Sequence, residues 1–219
     1  MIKLCALGDS ITAGIGVPVG QLKWTDMIEL EFPDVQVVNL GVGGETSTQG
    51  LLRIQSVLNE CPRIVTIQYG MNDHCLDASG QAKVSLKQFR INLDTMVCLL
   101  KNERYIIFIT NHLIIEGNDQ EYYYRRHPRS AYCEVGGANA FLSHYNQVIR
   151  DVAHSTYSGL VDMEKISSTY NPLLFLRSMQ TEGIDDGVHP HTLGARVYAE
   201  SMIYQLNNNQ SDWREGHGR

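Results

Sequence analysis

The sequence predicts an α/β protein, a three-layer α/β/α sandwich around a central, mainly parallel sheet of five strands. Three observations carry that expectation. Short continuous apolar runs recur along the chain, helical patterns fall between them, and each of the first three runs ends in a cluster of Gly, Asn, Asp or Ser.

The runs lie at 2–7, 35–40, 64–69, 105–110 and, more weakly, 160–163. They are short and continuous rather than alternating, as strands buried on both faces are. Leu86, Phe89, Leu93, Met96, Val97 and Leu100 repeat at helical spacing. So do Phe141/Leu142, Tyr145, Val148/Ile149 and Val152, and again Ala195, Ala199, Met202 and Leu206. Strands that alternate with helices imply parallel pairing, and such sheets place their sites at the carboxyl ends of strands. One domain is expected over residues 1–207, with a polar, frayed tail at 208–219. An insert at 111–137, rich in Tyr and Arg (EYYYRRHPRSAY), is too long for a plain connection and is expected near the site.

Composition excludes several classes. The 219 residues are 43% hydrophobic and 19% charged, as in a soluble globular protein. A formal net charge of -6 argues against a nucleic-acid surface. No apolar run approaches the roughly 20 residues that span a bilayer, so no integral membrane association is expected. No signal peptide is legible before Ile2. The five cysteines are odd in number, scattered and without a C-x-x-C pair, which reads as free thiols in a reducing cytoplasm.

The strand ends hold the chemistry. Ser10, in Gly8-Asp9-Ser10, is a candidate nucleophile. Asp186 and His189, three residues apart in Asp186-Gly187-Val188-His189, are a candidate acid and base. Gly44 and Asn72 can supply a backbone N–H and an amide NH₂ to an oxyanion, with the Ser10 N–H as a third donor. Each also has a plain reading, since Asp and Ser cap helices and Gly and Asn form turns.

Taken together, Gly-Asp-Ser-Ile-Thr at 8–12, Asn39/Gly41/Gly44, Gly70-x-Asn72-Asp73 and Asp186-x-x-His189 resemble the SGNH (GDSL-type) hydrolases. The likeness runs from residue 1 to about 206. It implies a flavodoxin-like fold and an acyl-ester hydrolase that needs no cofactor. It implies Ser10, Gly44, Asn72 and His189 as the four namesake residues, with Asp186 completing the triad. His191 stands where an Asn is common. Asn146 and Val161-Asp162 sit in surroundings similar to family positions and receive no catalytic role. The substrate implied is a small-molecule ester, and the polar insert favours a small polar or O-acetylated, carbohydrate-type one. The alternatives are a lysophospholipase- or thioesterase-type lipid acyl hydrolase, an acyltransferase, and a catalytically silent ligand-binding module. Asp9, His74, Tyr124 and Arg126 are candidates to line the substrate.

Other patterns carry less. His189-Pro190-His191 with His112, His127 and His144 match no ligand spacing, so no metal is expected. Cys75 reads as a structural cysteine, and Arg125, Arg126 and Arg129 as a solvated charge run. Gly14-x-Gly16-x-x-x-Gly20 and Gly41-x-Gly43-Gly44 do not complete a nucleotide loop. The chain also lacks Gly-x-Ser-x-Gly around Ser10, which removes the α/β-hydrolase elbow.

Overall fold

The computed structural model describes residues 1–101, 104–118 and 124–214. In chain order the elements are β1 (Ile2–Gly8), α1 (Ser10–Ala13), α2 (Trp24–Glu31), β2 (Val35–Gly41), α3 (Ser47–Leu52), α4 (Ile54–Asn59), β3 (Ile64–Gln68), α5 (Leu86–Leu100) and β4 (Tyr105–Ile109). A 3₁₀ helix (Arg129–Val135) follows, then α6 (Ala138–Ser155), β5 (Gly159–Val161), α7 (Met163–Ser167), α8 (Pro172–Phe175), α9 (Thr192–Asn208) and α10 (Gln210–Arg214). The five strands pair in the order β2-β1-β3-β4-β5, and every pairing is parallel. All five residues of β3 are buried, as a central strand covered on both faces requires. One helical layer is built on α2 packed against α9, and the other on α5 packed against α3 and α6.

This order has one topological switch. The chain leaves β1 for β2 on one side, then returns across β1 to β3. The crevice at the carboxyl ends of β1 and β3 is where such a sheet binds its ligand. Side chains stitch that rim. Thr12 Oγ1 donates to Gln68 Oε1 at 3.0 Å, and Gln68 Nε2 donates to Asn111 Oδ1 at 3.3 Å. The Asn111 N–H donates to Asn146 Oδ1 at 2.7 Å, and Asn146 Nδ2 returns to Asn111 O at 3.0 Å. Gly8 is required by close approach: a Cβ there would collide with the Thr12 side chain and lie 2.7 Å from Gln68 O.

Three segments differ from the sequence expectation. The weak run at 160–163 forms a strand of three residues, because Asp162 leaves the ladder to cap α7 through the Lys165 N–H. Helix α2 was not legible; it starts where Asp26 accepts from the Lys23 N–H at 2.9 Å, and it buries Trp24. The chain is not frayed from 208: α10 buries Trp213 completely. Its indole meets Phe32 edge-on at 6.0 Å and donates to Leu206 O at 3.0 Å. Residues 215–219 of that tail lie outside the described residues. No helix among the described residues is long and apolar enough to cross a membrane.

Candidate active site

Ser10 is the first residue of α1, directly after β1. Asp9 is the N-cap: its Oδ1 accepts from the Ile11 N–H at 2.9 Å. The capping role therefore belongs to Asp9 and leaves the Ser10 hydroxyl for other work. Asn39, at the end of β2, steadies this helix by donating to Thr12 O at 2.8 Å.

The Ser10 hydroxyl meets the distant segment that ends at His189. His189 Nε2 lies 3.0 Å from Ser10 Oγ. His189 Nδ1 lies 2.8 and 3.0 Å from the two Asp186 carboxylate oxygens. Asp186 Oδ1 also accepts from the Val188 and His189 N–H groups at 3.0 and 3.1 Å. Burial pushes this carboxyl up, but the hydrogen bond and charge of His189, with those two amides, hold it down at about 2. An ionised Asp186 keeps the proton on Nδ1 and leaves the Nε2 lone pair facing Ser10. Ser10, Asp186 and His189 are each at most 5% exposed, so water screens the row little. Asp185 is not the partner of His189: its carboxylate accepts from the Tyr124 N–H and faces Arg125 at 4.0 Å.

Two further elements hold the loop that carries Asp186 and His189. His112 Nε2 lies 2.7 Å from Val188 O, and its Nδ1 lies 2.7 Å from the Tyr198 hydroxyl. The Ile115 N–H donates to Gly187 O at 2.9 Å. Gly16 lies against the base itself, where a Cβ would come within 2.5 Å of His189 Cβ. None of these contacts was legible in the sequence, because each joins segments far apart in the chain.

The donor side is built on the ends of β2 and β3. Gly44 is exposed with φ of +78°, a conformation that glycine adopts without strain. Neither its N–H nor that of Ser10 has a backbone acceptor among the described residues. Asn72 Nδ2 donates to Glu45 O at 3.1 Å and to Asp9 Oδ2 at 3.3 Å. Its amide thus sits between the residue before Ser10 and the residue after Gly44. Glu45 is anchored in turn by Arg53 at 2.6 Å and by the Tyr69 hydroxyl at 2.7 Å. Asp73 ties the same loops by accepting from the Ser47 N–H at 2.9 Å and the Gly70 N–H at 3.1 Å.

The candidates for lining the substrate fare differently. Asp9 is fully buried, and burial pushes its carboxyl up to about 8. It caps and supports, and it has no surface to offer a ligand. His74 is also fully buried, stacked on His127 with ring centroids 5.0 Å apart. Tyr124 is half-buried against Gly187. Arg126 is exposed on the insert. Tyr122 and Tyr123 lie outside the described residues. A cleft of about 400 Å³ opens beside the base, lined by Gly16, Val17, Pro18, Val19, Arg177, Glu182 and His191. Glu182 there pairs with Arg177 at 2.9 Å and with His191 at 3.2 Å.

The chain is similar to known proteins in sequence and in fold. The model of the GDSL-like Lipase/Acylhydrolase family matches residues 6–197. The uncharacterized lipoprotein YqeF of Bacillus subtilis is 33% identical over 213 residues, covering 90% of this chain and 86% of that protein. The structure of a lipase/acylhydrolase from Enterococcus faecalis superposes with a TM-score of 0.74 at 24% identity, covering 95% of this chain and 96% of that one. Axe2, an acetylxylan esterase from Geobacillus stearothermophilus, is similar with a TM-score of 0.69 at 22% identity, over 94% of each chain.

Proposed function

The chain belongs to the GDSL-like lipase/acylhydrolase family, and on that premise we propose that it cleaves carboxylic esters through an acyl-Ser10 intermediate, acting on small polar or O-acetylated esters. It is a carboxylic ester hydrolase by family; the residue roles and the substrate are our reading. The observation that carries it is the 3.0 Å approach of His189 Nε2 to Ser10 Oγ, with Asp186 on the far side of the ring.

In this reading Ser10 Oγ attacks the ester carbonyl while its proton passes to His189 Nε2. Asp186 holds the ring and balances the imidazolium charge. The Ser10 and Gly44 N–H groups stabilise the tetrahedral oxyanion, joined by the Asn72 amide as it exchanges its long 3.3 Å bond to Asp9 Oδ2 for the oxyanion. His189 then gives the proton to the leaving alcohol, and acyl-Ser10 remains. A water that loses its proton to His189 attacks the acyl carbon, and the acid leaves as Ser10 recovers its proton.

The polar cleft beside Gly16 supports a polar alcohol portion, since Arg177, Glu182 and His191 offer donors and acceptors there. The fold shared with an acetylxylan esterase is consistent with an acetyl group. One observation favours a second reading. Ile15, Val19 and Val42 are exposed on the loops around Gly16 and Gly44, and an acyl chain could lie along them. That reading is a lysophospholipase- or thioesterase-type lipid acyl hydrolase.

A panel of esters and thioesters of graded acyl length, run with wild type and Ser10→Ala, separates these. Activity confined to acetyl esters and lost in Ser10→Ala supports the first reading. Activity that rises with chain length supports the second. Turnover that persists in Ser10→Ala removes Ser10 as nucleophile. No turnover on any member by the wild type supports the silent binding module. We keep a cytoplasmic setting within this reading, because the five cysteines are all free thiols; fractionation of cells tests it against the lipoprotein setting of the YqeF relative.

A further inference from the structure

We propose that His74, Cys75 and His127 form a metal site of zinc type, which ties the insert to the turn after β3. It is independent of the ester chemistry above. His74 and Cys75 follow Asn72 closely in that turn, and His127 comes from the insert. One donor atom from each of the three lies within 4.8 Å of the others.

The chemistry of the donors supports a metal. His74 Nδ1 lies 3.2 Å from Gly70 O, so it carries the proton and leaves the lone pair on Nε2. That Nε2 is buried and has no hydrogen-bond partner among the described residues. A buried, unsatisfied polar nitrogen costs about 1–3 kcal/mol, and an ion bound at His74 Nε2 removes that cost.

The distances also fit. A tetrahedral zinc with bonds of about 2.3 Å to sulfur and about 2.0 Å to nitrogen places those two atoms roughly 3.5 Å apart. Cys75 Sγ and His127 Nε2 are 3.5 Å apart. No pair is more than 4.8 Å apart, so none must close by more than about 1.5 Å on the same bond lengths. Because the rings are nearly parallel, 11° between planes, His127 must tilt for both to aim at one ion. Cys75 is half-buried and gives the ion a way in. Its thiol loses its proton to solvent as the metal–sulfur bond forms. One thiolate and two imidazoles select zinc or copper over magnesium or calcium. This revises the expectation of no metal, which weighed sets of histidines and left out His74 beside Cys75.

Titration of the full chain with Co²⁺ tests the site. One equivalent is expected to bind with a near-ultraviolet thiolate-to-cobalt charge-transfer band. Cys75→Ser is expected to remove that band. His127→Gln is expected to weaken Zn²⁺ at least about tenfold in competition with a chelator. X-ray absorption at the zinc edge reads the wild-type ligands without a variant. One sulfur at about 2.3 Å and two imidazoles at about 2.0 Å are expected. No binding at one equivalent, a band that survives Cys75→Ser, or ligation by oxygen alone overturns the proposal.

Discussion

Replacing Gly16 with alanine is expected to cut kcat/KM for a short-chain ester by about 10²-fold while leaving the protein folded. Two costs combine. Gly16 has φ of +102°, and a residue with a Cβ held there pays about 1–3 kcal/mol. For a chain of this size that lowers Tm by roughly 2–4 °C per kcal/mol. The second cost falls on His189. The new Cβ would lie 2.5 Å from His189 Cβ and 2.9 Å from Pro190 O, against an ordinary contact of 3.4–4 Å. One partner must move by about 1 Å, and a misplacement of that size at a reacting group costs about 10² in rate. The 3.0 Å reach from His189 Nε2 to Ser10 Oγ has no slack for such a shift. Gly20→Ala is the control. Gly20 has φ of +84°, and a Cβ there would meet nothing within 4 Å, so it incurs the backbone cost alone. Steady-state kinetics and calorimetry on both variants separate the two costs. Full activity in Gly16→Ala, or an equal loss in Gly20→Ala, refutes the reasoning.

Three more outcomes follow from the geometry. Asn72→Ala is expected to lower kcat by about 10²–10³ with KM nearly unchanged; a loss below tenfold in steady-state assays removes its amide from the oxyanion site. Asp186 titrates at about 2 in the folded chain and near 3.9 when unfolded. The unfolded state therefore binds more protons between those values, so this contribution of roughly 2–3 kcal/mol is present above about pH 4 and is lost as pH falls to about 2. Denaturant unfolding against pH reads it, and Asp186→Asn should flatten that difference. Trp213→Ala is expected to cost about 3–5 kcal/mol in urea unfolding, with activity kept in the folded protein; a cost under about 1 kcal/mol would mean that α10 contributes little to the core.

Most of the sheet was legible because parallel strands buried on both faces must be continuous apolar runs, as at 64–69 and 105–110. The long helices were legible for a similar reason. The stripes through Phe89 and Leu93, and through Ala199 and Met202, face the core at helical spacing. What stayed hidden depends on partners far away in sequence. Helix α2 is short, and Trp24 reads as a core residue only once Ile11 O is seen to accept from its indole. The tail looked polar because Trp213 is the one buried residue of α10. In the site, Ser10, Asp186 and His189 were named because reactive residue types stood at strand ends and in a short loop. Asp9 and His74 were misjudged because adjacency to a motif does not tell which side of the backbone faces the crevice. The supports of Glu45 by Arg53 and Tyr69, and of the Asp186 loop by His112, join segments that no local pattern links.

The central claim is that Ser10 carries the acyl group. Rapid-quench mass spectrometry during turnover of an activated acetate ester tests it most directly. The expected result is a single acetyl adduct on the peptide that contains Ser10, formed and lost within the catalytic cycle and absent in Ser10→Ala. An adduct on another residue, or turnover in Ser10→Ala at the wild-type rate, would contradict the account.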